Sequence, residues 1–200
     1  MSDPLEAACE VHCFLTARQI PYAIIGGFAV QRWGEPRFTR DVDVTVVVPV
    51  EQAADFVEAV VKKFVPRIEN AAAFARRSRV ILVWAANGCQ VDISLGLPGY
   101  EDEVIRRAVD FELEPGRVVR LCAPEDLVIH KAVAGRPRDL EDIRGIIHRR
   151  GKSLDTDLIR LWLGRFSEIL GDSAPSDRFA AIWRRWETDR RQKQRQSRNP

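Results

Sequence analysis

The chain has 200 residues, 46% of them hydrophobic, and its 31 Lys and Arg against 29 Asp and Glu leave a net charge of +2. That length suits one domain or a small pair with a sizeable core. No apolar run is long enough to cross a bilayer, and the opening MSDPLEAACE lacks the basic-then-apolar pattern of a secretory signal, so a cytoplasmic protein with no membrane partner is expected.

Ser2-Asp3-Pro4 reads as the start of a first helix, with Leu5, Ala8, Cys9, His12 and Cys13 as its buried stripe. Cys9, His12 and Cys13 have a spacing that can seed a zinc site. Together with Cys89 and Cys122 they offer no CxxC pair, and small core residues are the expected role. Pro21 ends the helix, residues 22–25 read as a strand, and residues 27–33 as a short helix opened by Gly26-Gly27. The run 41–48, DVDVTVVV, reads as the next strand. Alternation puts Val42, Val44, Val46 and Val48 on one face and Asp41, Asp43, Thr45 and Val47 on the other. Asp41 and Asp43 then project together, roughly 7 Å apart at their backbones. Two uncompensated carboxylates beside a core strand are costly without a counter-charge, and a metal ion supplies one.

Residues 51–64 form an amphipathic pattern with Ala54, Val57, Val60, Val61 and Phe64 in register. RVILVWAA, then Asn87-Gly88, then CQVDISL predicts a hairpin over 79–95 with a type I′ turn. Its second strand directs Cys89, Val91, Ile93 and Leu95 to one face and Asp92 and Ser94 to the other. If this hairpin pairs with the 41–48 strand, Asp92 stands beside Asp41 and Asp43. Three carboxylates below a glycine turn that opens a helix suit a nucleoside triphosphate with magnesium: backbone N–H groups face the phosphates and hard oxygen ligands hold the ions. A short helix near 101–108 and a strand over 117–122 follow, and from Pro124 the pattern turns helical, over 124–134, 139–149, 155–170 and 176–190. The expected fold is therefore α/β (α+β): a mixed-sheet catalytic domain over 1–122, a helical domain over 123–190 and a basic, disordered tail over 191–200.

Gly26-Gly27, Asp41-Val42-Asp43 and Asp92 on a later strand, in that order, resemble the nucleotidyltransferase superfamily typified by DNA polymerase beta. The wording of GGFAV, PRFTRDVDV, VDISLG and PEDLVIHKAVAGRPRDLEDI is closest to its AbiEii-like toxin and minimal nucleotidyltransferase branch. The resemblance spans residues 24–147. Many superfamily members carry Gly-Ser where this chain has Gly26-Gly27, and the toxin-like branch often has Gly-Gly.

The resemblance implies transfer of a nucleoside monophosphate from a triphosphate, ATP among the candidates, to an acceptor hydroxyl, with pyrophosphate released. Asp41 and Asp43 would hold two magnesium ions, and Asp92 would hold the acceptor-side ion and take the acceptor's proton. Gly26 and Gly27 would cradle the phosphates, helped by Lys131 and Arg40. By the same resemblance, Lys131, Arg136, Asp139 and Asp142 match a KxxxxRxxDxxD-like signature. An ion-pair set tying two helices together is the competing reading, and it is the preferred one for Asp139 and Asp142. Arg37 and Arg40 either neutralise phosphates or pair with Asp41 and Asp43. His12, His130 and His148 are read as non-catalytic. The five tryptophans are read as packing residues, with Trp33 set apart because it follows the phosphate-facing turn.

The last seventeen residues hold seven Lys or Arg and two acids, a net of +5 on a chain of +2. Such an end is a solvated helix that frays, or a non-specific contact for RNA phosphates. The acceptor stays open among the 3′ end of tRNA, a partner toxin or antitoxin protein, and a small antibiotic. A catalytically idle antitoxin or partner-binding module is the alternative of a different class.

Overall fold

The computed structural model describes residues 3–196. They pack as two compact units: one made of the chain up to Ala29 and of Arg37–Ala123, the other of Val30–Pro36 and the chain from Pro124 onward.

The first unit is built on a seven-stranded mixed sheet. Its strands are β1 (Tyr22–Ile25), β2 (Asp41–Val46), β3 (Val65–Pro66), β4 (Val80–Trp84), β5 (Gln90–Leu95), β6 (Val109–Glu114) and β7 (Arg117–Leu121), in the order β3-β4-β5-β2-β1-β7-β6. β2 runs parallel to β5 and β1 parallel to β7, while the remaining neighbours are antiparallel. Helices α1 (Pro4–Thr16), α3 (Ala53–Lys63), α4 (Ala71–Ser78) and α5 (Tyr100–Arg107) belong to this unit, and α2 (Gly26–Trp33) leaves β1 without an intervening residue.

The alternation in β2 decides which way the strand faces. Val42, Val44 and Val46 are fully buried, each burial being worth about 1.5–3 kcal/mol, so the opposite set, Asp41 and Asp43, is left half-buried on the other face. Val91 and Ile93 of β5, Val57 and Val60 of α3, and Ala7, Val11 and Leu15 of α1 complete the same core.

The structure departs from the sequence expectations in several elements. The buried stripe of α1 is Ala7, Ala8, Val11, Phe14 and Leu15, while Cys13 is exposed and Cys9 and His12 are only half-buried. Both stripes satisfy the helical period, and the larger apolar volume of Phe14 and Leu15 selects the one that is buried. Ser2 lies outside the described residues, and Asp3 is the N-cap, accepting from the Leu5 N–H at 2.9 Å. β2 ends at Val46, two residues before the predicted end. α3 buries Phe56, which the predicted stripe omitted, and leaves Ala54 exposed. The β4–β5 turn is not type I′. Gly88 alone is left-handed, at φ +76°, and its N–H donates to the Ala85 carbonyl, so a glycine closes a wider loop. β3, α4 and β6 are additional elements.

The second unit is helical, as expected: α6 (Pro124–Ala134), α7 (Pro137–Arg150), α8 (Thr156–Leu170) and α9 (Ala174–Gln196). α6 is buried almost all round and packs against the other three. Ile143, Ile146 and Ile147 of α7, Ile159 and Leu163 of α8, and Phe179 and Trp183 of α9 are buried with it. Trp33 is a packing residue, buried, with the Arg32 and Arg150 guanidinium groups over its ring. The basic end, expected to be disordered from 191, continues as helix to Gln196, and 197–200 lie outside the described residues.

Candidate active site

Strand register assembles the site. In the parallel β2–β5 ladder Asp43 stands directly opposite Asp92, and in the antiparallel β1–β2 ladder Ile25 stands opposite Asp43. Because α2 begins at the next residue, Gly26, the glycine turn is delivered onto Asp43. Gly26 is left-handed at φ +65°, and a Cβ built there would lie 1.8 Å from Oδ2 of Asp43. A Cβ at Gly27 would lie 2.5 Å from Oγ1 of Thr39 and 3.4 Å from a guanidinium nitrogen of Arg37. Both glycines are therefore places where side chains from the carboxylate strand and the preceding loop approach bare backbone. The first N–H groups of α2 lie in this turn, without partners inside the helix.

Each carboxylate has its own surroundings. The Thr39 hydroxyl, itself buried, donates to Oδ1 of Asp41 at 2.8 Å. Asp43 lies against Gly26. Asp92 is paired through Oδ1 with Nη1 of Arg67. Arg67 is fixed from β4, the strand beside β5: its backbone N–H donates to the Leu82 carbonyl at 2.9 Å, and its guanidinium lies 5.5 Å from the centre of the Trp84 ring. Burial pushes the Asp92 carboxyl above the usual carboxylate range. Arg67 opposes this rise, and the charge of Asp41 adds to it.

The donor set of Asp41, Asp43 and Asp92 is all carboxylate oxygen on one sheet face, which fits a hard divalent cation. Among the described residues no three His, Cys, Asp or Glu side chains already form a closed cluster. Asp92 is instead turned toward Arg67.

Of the predicted phosphate contacts, Gly26 and Gly27 are at the carboxylates. Arg40 is exposed, its guanidinium 5.7 Å from the centre of the Phe38 ring, and it is Arg37 that lies over Gly27. Lys131 belongs to the second unit, where its Nζ is 2.9 Å from Oδ1 of Asp139 and 2.7 Å from Oδ2 of Asp142, all three side chains being buried. That is the ion-pair arrangement, joining α6 to α7. Thr39 and Arg67 escaped the sequence reading. Thr39 had a signal, a hydroxyl two residues before an aspartate. Arg67 had none, because 25 residues separate it from Asp92.

The family model of the AbiEii toxin nucleotidyl transferases, of type IV toxin–antitoxin systems, matches residues 19–198, and the chain belongs to that family of enzymes. No curated protein is a significant match in sequence. The fold is similar to the crystal structure of an antigenic nucleotidyltransferase-like protein from Paracoccidioides brasiliensis, with TM-score 0.50 and 23% identity over 73% of this chain and 75% of that one. It is also similar to the solution structure of the antibiotic-resistance factor ANT(2'')-Ia, with TM-score 0.54 and 15% identity over 84% of this chain and 94% of that one.

Proposed function

We propose that this enzyme transfers a nucleoside monophosphate from a magnesium-bound nucleoside triphosphate to an acceptor hydroxyl, as the nucleotidyltransferase of a toxin–antitoxin pair. The observation that carries the reading is the register that sets Asp43 between Asp92 on one side and the Gly26 turn on the other. The triphosphate lies along the first turn of α2, where the Gly26 and Gly27 N–H groups donate to its β- and γ-oxygens and Arg37 adds a charge. Asp41 and Asp43 would hold the divalent ions, with Thr39 fixing the carboxylate of Asp41. Bound there, the ions neutralise triphosphate charge and make the acceptor hydroxyl more acidic.

Asp92 accepts the acceptor's proton. The acceptor oxygen forms a bond to the α-phosphorus, the bridging bond to the β-phosphate breaks, and pyrophosphate leaves with that electron pair. A carboxyl raised by burial is a better base than an exposed one, and the Arg67 guanidinium beside Asp92 opposes that rise. The roles of Arg40 and Lys131 as phosphate ligands belong to the same proposal, although Lys131 has its buried carboxylate partners. The acceptor is tRNA or a partner protein, in keeping with the toxin family. Incubating the protein with each α-labelled triphosphate and a cell lysate, then asking whether label enters RNA, protein or small molecules, tests the reading. Label in a small antibiotic would assign the antibiotic-modifying alternative, and no labelled product would favour the idle antitoxin.

A further inference from the structure

Trp186 of α9 stands between two clefts of the second unit that differ in chemistry. The larger, of about 660 Å3, lies between α7 and α9 on an apolar floor of Ile147, Ala181, Ile182 and Trp186, a volume within the range of small-molecule sites. Its rim carries both charges, Glu141 and Asp189 against Arg144 and Arg185, so donors and acceptors ring an apolar surface. The smaller, of about 210 Å3, lies against Trp183 and Trp186 and is lined by Lys152, Arg190 and Arg191 with one acid, Glu187. Among the described residues no carboxylate forms an ion pair with any of these three cations, and the Arg190 guanidinium lies 5.5 Å from the centre of the Trp186 ring. Trp186 is itself fixed. Its ring centre is 4.8 Å from that of Trp183, and Gly151, left-handed at φ +50°, brings bare backbone to its edge, where a Cβ would lie 2.9 Å from Cζ2. One aromatic wall therefore serves both clefts.

We propose that the two clefts form one binding site for a phosphorylated nucleoside, either free or as a unit of an unpaired strand, with the base on the apolar floor against Trp186 and the phosphate on Lys152, Arg190 and Arg191. The assignment follows from the division of chemistry. A nucleobase is a flat apolar surface edged with donors and acceptors, and the larger cleft is its complement. A phosphate takes cations that no carboxylate has neutralised, and the smaller cleft supplies them. A bare polyanion has no use for an apolar floor rimmed by acids as well as bases, and an apolar helix has none for three cations. The site belongs to the second unit and is independent of the transfer reaction proposed above.

The test is binding of a short fluorescein-labelled single-stranded RNA to the full chain, read by anisotropy across a salt series with chelator present and no triphosphate. Wild type and Asp43→Asn should bind alike. The triple variant Lys152→Gln, Arg190→Gln, Arg191→Gln should bind about tenfold or more weaker, as expected when hydrogen bonds to charged groups are lost. Its slope of log affinity against log salt should fall by about 0.7 for each lost contact. Ala181→Trp, which puts a bulky group at an exposed position of the floor, should weaken binding by about tenfold through the base and leave the slope unchanged. Ala181→Gln replaces it if the larger side chain lowers the thermal midpoint. Displacement of the RNA by an unlabelled nucleoside monophosphate supports a site for the free unit, and displacement by unlabelled RNA alone supports a site for the strand. The proposal is overturned if wild type binds neither, or if the triple variant keeps wild-type affinity. It is equally overturned if the folded Ala181 variant binds as tightly as wild type, since a cationic surface alone would then explain the binding. RNA binding by a protein that transfers no label would count against the active-site reading and leave this site standing.

Discussion

Gly26 and Asp43 occupy adjoining space so closely that no side chain fits between them. A methyl group on Gly26 would lie 1.8 Å from the Asp43 carboxylate, and the backbone there is left-handed at φ +65°. Gly26→Ala is accordingly expected to lose about 1–2 kcal/mol from the backbone conformation alone and to displace Asp43 besides. Thermal unfolding should show a lower midpoint. Transfer should fall much further than the fraction of unfolded protein accounts for, and a variant with wild-type turnover would mean that Asp43 tolerates displacement.

Lys131, Asp139 and Asp142 should behave as one unit. Lys131→Ala removes the cation that lies between two buried carboxylates, a change that costs about 3–5 kcal/mol in comparable buried pairs. Urea unfolding measures it, and the combined Lys131→Met, Asp139→Asn, Asp142→Asn variant should recover most of the loss. If Lys131 also meets phosphate, the recovered variant should still bind triphosphate more weakly, by about 1.5–3 kcal/mol. Unchanged nucleotide affinity would confine Lys131 to helix pairing.

These two cases mark how far the sequence could be read. The valine alternation around Asp41 and Asp43, and the matching pattern around Asp92, made the carboxylate face legible, because burial of one side of a strand fixes the other. Val109, Phe111 and Leu113 also alternate, and Pro115-Gly116 separates them from RVVRL, so β6 was legible although the reading missed it. α4 was harder. AAAFARRS is a short run between the left-handed residues Asn70 and Arg79, with too little periodicity to announce itself. Arg67 depends on a contact between distant segments, which no local pattern encodes, whereas Lys131 pairs with Asp139 only eight residues on, and that ion-pair set was one of the two readings of its signature. The stripe of α1 failed for another reason. Two apolar faces compete on one helix, and the side-chain volume to be filled, which only the packed core defines, chooses between them.

Asp92 makes stability depend on pH in a definite direction. Its folded carboxyl is raised above the ordinary value by burial, so between the unfolded and folded pKa values the native state binds more protons, and stability declines as pH rises through that window. In chelator-treated protein Asp92→Asn should therefore melt higher than wild type at neutral pH. The difference should shrink once the pH falls below the ordinary carboxylate range. A variant less stable at neutral pH would show that the lost pairing with Arg67 outweighs the relief of burial.

The basic end separates acceptor classes. Arg190 lies over the Trp186 ring, so the clean variant changes only Arg191, Lys193 and Arg195 to Gln. If single-stranded RNA touches these residues, each lost contact should lower the slope of log affinity against log salt by about 0.7. Filter binding across a salt series gives the slope. No change would remove the end of α9 from acceptor binding and move weight to a protein or small-molecule acceptor.

The most direct test of the central claim is transfer of label from an α-labelled triphosphate by wild type and Asp43→Asn, with both proteins shown to be folded by their thermal midpoints. Label should move from triphosphate to an acceptor, pyrophosphate should appear in equal amount, and Asp43→Asn should lose both while melting no lower than wild type, because removing one of three neighbouring carboxylates relieves repulsion. Transfer by a folded Asp43→Asn protein at a rate close to wild type would contradict it.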